Sequence, residues 1–365
     1  MFSLQRSTAV LYGDEHFGEL DGGRFWVFNS NGVAIVNPDT CSVEHKISED
    51  SEGNLLPGRW YDGVYMESCS EETIDGQDCE KYVVMNSAVT VTDTHGEDAG
   101  SGEVIFFDAK TRSVASRVLV GPRPVHSYAV HTENQYWTHA DGDGFFYVID
   151  LADIETHTGK PIKAKINEAN HGKLLWDESS LLQNTGYATS TGEPHLFIID
   201  MKTHEQIGTF DFSAQSGCFG SHSIAFASAN QHVYIECTGP GGLLEIDVSN
   251  PRDPVFVAQH LGITGSLYET PDEMYVAVTD KGGNKFHLLQ PGATSETSSV
   301  DYSIDVLGHP QGPVWYSNPK EGVDNAISAL DYKTCLSLTI NTNQNHYNSD
   351  GELVCDYYDC SQAIT

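Results

Sequence analysis

QYWTHADGDGFFYVIDLAD, residues 135–153, is the stretch whose reading decides the fold. Two runs rich in aromatic and β-branched residues flank a tight Asp-Gly-Asp-Gly turn, which is the signature of a hairpin. The second run ends on Asp150, an acid that opens a turn by accepting backbone N–H groups. The same phrase, an apolar run closed by Asp or Asn, recurs along the chain. It reads GVAIVNPDT at Asn37, VIFFDAKT at Asp108, LFIIDMKT at Asp200, LLEIDVSN at Asp247 and AISALDYKT at Asp331, with a degenerate copy, KFHLLQPGAT, at Gln290. From Asp108 onward the marks fall 41 to 50 residues apart. That period suits one four-stranded propeller blade per copy.

Working outward, each phrase takes the third-strand position of a blade. Two strand candidates precede it, as HSYAVH and QYWTHA precede FFYVIDL, and a fourth such as EQIGTF or PVFVAQ follows. Helical periodicity is nearly absent, which excludes α/β and TIM-barrel architectures. The expected fold is an all-β, seven-bladed β-propeller with four-stranded antiparallel blades, forming a single domain over residues 1–365. The blades are predicted at 7–48, 58–121, 123–165, 169–213, 219–260, 262–305 and 306–345, followed by a tail at 346–365. The first blade is completed either by its own segment STAVLYG or by a strand lent from that tail.

The chain carries 19 basic against 52 acidic residues, a formal charge of −33. Such a field repels phosphate backbones and anionic lipid surfaces, so nucleic acid is excluded as a partner. No run of 18 apolar residues occurs, so membrane insertion by a helix is not expected. The eight cysteines lack CxxC or zinc-finger spacing and read as a disulfide framework. An oxidising location follows, secreted or periplasmic, with the chain as a mature form whose export signal has been removed. Cys218 precedes the fifth blade's first strand and Cys237 ends its second, which places both at one mouth, where they can pair. Cys69 and Cys79 are expected to close an insertion, while Cys41, Cys335, Cys355 and Cys360 can pair in three ways.

In a propeller, the start of a blade's first strand lies on the same face as the turn between its second and third strands. His126, opening the third blade, is thereby brought towards His139, Asp141 and Asp143 in THADGDG. The second blade carries His95, Glu97 and Asp98 in the equivalent THGEDAG turn, and His171 and His222 open the fourth and fifth blades. Neutral imidazoles and carboxylates converging on one rim are the donor set of zinc or another borderline divalent ion. The candidate metal ligands are therefore His95, His126, His139, Asp141, His171 and His222, with His309 in reserve. The DGDG turn lacks the alternating acids and distant Glu of a calcium loop. No nucleophile elbow, Walker loop or dinucleotide fingerprint is present, and no catalytic residue is nominated.

PVHSYAVH with YWTHADGDGFFYVID, and GCFGSHSIAFA with HVYIECTGPGGLLEID, resemble propellers grouped with the nitrous-oxide-reductase N-terminal and YVTN-type repeats. Among these the chain looks most like periplasmic zinc metallochaperones of the AztD type. The resemblance implies zinc held by His126, His139, Asp141 and His222 beside Cys218 and Cys237, and delivery of the ion to the solute-binding protein of a metal importer. The flexible histidine-rich segment of that group is missing from this sequence. Two alternatives belong to other classes. One is a polysaccharide lyase using His126 or His171 with Tyr128, Tyr61 or Arg123; the other is a protein-interaction scaffold anchored by Trp60, Trp137 and Trp315.

Overall fold

The computed structural model describes residues 8–11, 25–29, 32–37, 42–56, 60–68, 80–87, 102–130, 133–156, 159–161, 171–176, 181–239, 241–270, 275–280, 282–292 and 297–305. These residues form four-stranded antiparallel sheets, each built from four consecutive strands. They belong to two compact units, one ending at Asn170 and the next beginning at His171.

The first unit holds three sheets. They comprise β1 to β4 (Thr8–Leu11, Phe25–Asn29, Gly32–Asn37, Ser42–Ile47), β5 to β8 (Trp60–Ser68, Glu80–Ser87, Gly102–Asp108, Ser113–Val120) and β9 to β12 (Pro124–Val130, Gln135–Ala140, Phe145–Asp150, Lys160–Pro161). The second unit holds β13 to β16 (Leu174–Leu175, Thr185–Ala188, His195–Asp200, Glu205–Asp211), β17 to β20 (Gly220–Ala227, His232–Thr238, Leu243–Asp247, Val255–His260) and β21 to β24 (Ser266–Glu269, Val276–Asp280, Lys285–Gln290, Ser299–Asp305). Helix is confined, among the described residues, to a 3₁₀ turn at Leu151–Thr156 and a single-turn α1 at Ser213–Ser216. Each sheet is an up-and-down antiparallel meander, the form that a propeller blade takes. The seventh predicted blade and the tail lie outside the described residues.

The repeated phrase is the third strand of its sheet every time it is described: β3, β7, β11, β15, β19 and β23 end on Asn37, Asp108, Asp150, Asp200, Asp247 and Gln290. Its closing acid works locally. Asp108 Oδ1 accepts the N–H groups of Lys110 and Thr111, Asp200 Oδ1 those of Lys202 and Thr203, and Asp247 Oδ1 that of Ser249. The run before the acid is continuously apolar because it is covered on both faces. In β7 every residue from Gly102 to Phe107 is buried. Fourth strands read differently: β16 alternates between exposed and half-buried, and β4 is exposed until Ile47.

Packing within each unit joins neighbouring sheets. Trp26, Phe28, Trp60 and Phe107 meet at centroid distances of 5.1 to 6.2 Å, tying the first sheet to the second. Phe106 meets Tyr82 and Tyr136 edge-on, tying the second to the third. Each such side chain withdrawn from water contributes about 1.5–3 kcal/mol. Trp137 is wholly buried, with Nε1 donating to Gln135 Oε1 at 3.1 Å, so it serves the core and not a docking face. Trp315 lies outside the described residues. The first sheet is completed by its own segment, since β1 pairs with β2 from Thr8↔Phe28 to Leu11↔Phe25.

Candidate metal centre

The openings of the first strands carry the chemistry. Asp62 and His126 are the third residues of β5 and β9, and His222 is the third residue of β17. At each opening the ladder to the second strand slips by one residue. Such bulges re-aim the side chains beside them. A small residue follows each polar one, giving Asp62-Gly63, His126-Ser127, His171-Gly172 and His222-Ser223. At Gly172 the reason is close approach, since an added Cβ would collide with the Thr189 carbonyl.

In the first unit, Asp62 Oδ2 stands 3.6 Å from His126 Nδ1 and accepts the Ser127 N–H at 3.3 Å. Its Oδ1 accepts the Gly63 N–H at 3.0 Å. The strand bearing His126 is anchored from behind by Asn86, whose Nδ2 donates to the His126 carbonyl at 3.0 Å and to Ser127 Oγ at 3.1 Å. Asn86 Oδ1 accepts from Tyr136 Oη at 2.8 Å, so the fully buried amide is satisfied.

In the second unit, the His171 and His222 rings stack with centroids 4.6 Å apart and planes 24° apart. Thr189 takes the part that Asn86 plays in the first unit: its hydroxyl donates to the His222 carbonyl at 2.6 Å. His171 is positioned through its carbonyl, which accepts the Thr191 N–H at 2.9 Å. Glu236, on β18 opposite the β17 bulge, holds Oε2 3.3 Å from His222 Nδ1. The disulfide Cys218–Cys237 pins the two strands immediately beside this point, where Ser221 pairs with Cys237.

Electrostatics favour ligand forms of these groups. Burial pushes the His222 imidazole below its ordinary pKa, an effect that the charges of Lys173 and His171 reinforce and Glu236 opposes. The ring is accordingly neutral at pH 7, the form that donates to a metal. Burial works to raise the Glu236 carboxyl, but the hydrogen bond and charge of His222, a Ser223 N–H and Lys173 outweigh it and hold Glu236 below the usual range.

The other sequence candidates fall elsewhere. His139 pairs opposite His126 in the ladder, yet it is 1% exposed, with its ring 4.8 Å from Phe146 and Nδ1 3.1 Å from Asp141 Oδ1. Asp141 also faces Arg123 at 3.7 Å and takes the Arg123 carbonyl with its own N–H. Asp143 is occupied as a turn residue, accepting from the Phe145 N–H and Tyr147 Oη. The DGDG turn is thus a fastening for the link at residues 121–123. His95 and His309 lie outside the described residues. Asp62 and Glu236 were not anticipated; the signal for Asp62 was Asp-Gly in the slot where the fourth blade has His-Gly.

No protein-family model matches the chain. Among solved structures it is similar to the β-propeller domain of Myceliophteria thermophila Cps50 (Swd1), at 13% identity over 82% of this chain and 89% of that one, with a TM-score of 0.49. It is also similar to the Pseudomonas aeruginosa periplasmic gluconolactonase PpgL, at 12% identity over 84% and 98% of the two chains, with a TM-score of 0.48. Kuenenia stuttgartiensis hydrazine synthase matches at 9% identity over 73% of each chain, with a TM-score of 0.48.

Proposed function

We propose that this protein is a seven-bladed propeller that binds a divalent transition metal, zinc foremost, through His126, His171 and His222. The observation that carries the reading is the stacked pair His171–His222, whose half-buried member has its pKa pushed below the ordinary value. Two imidazoles at this spacing, one of them beside a carboxylate that fixes its tautomer, present nitrogen donors close together, and nitrogen donors suit zinc. His126 enters as the third donor on the logic of the repeat. Within each unit, positions that open successive sheets are neighbours, as Asp62 is to His126 and His171 is to His222.

His139 and Asp141 act as surroundings in this proposal, because they are already engaged with each other. The role we favour is a carrier in a secreted or periplasmic location, passing the ion to the solute-binding protein of a metal importer. The disulfide supports the location, and the role follows the resemblance of the third- and fifth-blade stretches to zinc metallochaperones. Zinc analysis of protein purified without chelators tests the binding. Near one ion per chain is expected for the wild type and for His139→Ala, and loss in a His171→Ala, His222→Ala double variant; an empty wild type rejects the reading.

A further inference from the structure

Each unit places a carboxylate against the same nitrogen of a proposed ligand. In the first, Asp62 Oδ2 lies 3.6 Å from His126 Nδ1; in the second, Glu236 Oε2 lies 3.3 Å from His222 Nδ1. The two carboxylates come from different places, Asp62 from the first strand of the preceding sheet and Glu236 from the second strand of the same sheet. The convergence on Nδ1 is therefore not a by-product of one repeated contact.

Resting on the metal-binding reading above, we infer that Glu236 and Asp62 are positioning residues: Glu236 holds the Nδ1 proton of His222 by a hydrogen bond, and Asp62, at ion-pair distance, favours the proton on Nδ1 of His126, so that both rings ligate through Nε2. A neutral imidazole has one N–H and one lone pair, and fixing the proton on Nδ1 fixes the lone pair on Nε2. Metal binding at Nε2 makes the Nδ1 proton more acidic and strengthens its pull on the carboxylate, which in turn raises the basicity of the ligating nitrogen. With Asp62 and Glu236 committed to Nδ1, neither of these two carboxylates is itself a ligand.

Zinc titration against a chromophoric chelator, with cobalt(II) as a spectroscopic substitute, tests the assignment on the full chain. Glu236→Ala and Asp62→Ala are expected to weaken zinc affinity by about 10- to 100-fold each while stoichiometry and the cobalt(II) band stay unchanged. Glu236→Gln, whose amide oxygen still accepts from Nδ1, should recover most of the loss, and Asp62→Asn, with its oxygen in the Oδ2 position, should recover part of it by facing Nδ1 and accepting the Ser127 N–H while losing the Gly63 N–H contact. Circular dichroism confirms folding of each variant. Unchanged affinity in both alanine variants overturns the inference, as does a shifted cobalt(II) band in Glu236→Ala, which would make Glu236 a ligand. A wild type that binds no zinc rejects the metal reading and this inference together, whereas the outcomes above reject the positioning role alone.

Discussion

The imidazoles of His171 and His222 stack with centroids 4.6 Å apart, although 51 positions separate the two residues in the chain. The contact arises because each ring stands at the opening of its blade and Thr189 fastens the two openings together. Its hydroxyl accepts the Lys173 N–H at 3.0 Å and donates to the His222 carbonyl at 2.6 Å. Replacing Thr189 by Val keeps the shape and removes both bonds. Zinc affinity is expected to fall by about 10-fold, the loss typical of an outer-shell support, as measured by chelator competition.

The pair Cys218–Cys237 spans 19 residues and brackets the bulge that aims His222 at Glu236. A double Cys→Ala variant should lose about 2–4 kcal/mol of stability in denaturant unfolding. It should also bind zinc more weakly than wild type under conditions where both are fully folded.

Asn86 makes three buried hydrogen bonds, to the His126 carbonyl, Ser127 Oγ and Tyr136 Oη. Asn86→Ala leaves these partners without it. The expected cost is about 2–3 kcal/mol, read as a lower midpoint in urea, with a smaller parallel loss in zinc binding through the loosened β9 strand.

Glu245 is wholly buried and bonds His232 Nδ1 and His260 Nε2 at 2.8 Å each, with the Ser298 N–H at 3.0 Å. Burial works to raise its pKa, but the bonds from His260, His232 and Ser298 prevail and bring it from 4.5 down to about 2. A depressed carboxylate stabilises the fold above its unfolded pKa and loses that contribution as pH falls through the folded value. The difference is worth on the order of 3 kcal/mol. Wild type should therefore exceed Glu245→Gln in melting temperature at pH 7, and the gap should narrow between pH 4.5 and pH 2, as followed by calorimetry.

The strand pattern was legible because its signals are local. An acid that captures the next two N–H groups, as Asp108 and Asp200 do, ends a strand wherever it occurs, and a run buried on both faces shows no alternation to misread. His126, His171 and His222 were legible as candidates for the same reason, since each stands at or just before the opening of a first strand. What stayed hidden depends on neighbours. Glu236 and Glu245 sit in HVYIECT and LLEID as single acids in apolar strands, and nothing adjacent in sequence shows that imidazoles from other strands meet them. The expectation that His139 and Asp141 sit at the site rested on the shared face of turn and strand opening. Their mutual bond and the Arg123 contact show a side-chain choice that register alone does not dictate.

Every described sheet closes on strands that follow one another directly along the chain, beginning with β1 on β2. Little loop entropy is spent before each meander starts to gain contacts, so segments can gather piece by piece from the first sheet onward during synthesis. Two of the proposed ligands stand at the starts of the fourth and fifth sheets, and the site would thus be assembled well before the last part of the chain has been made.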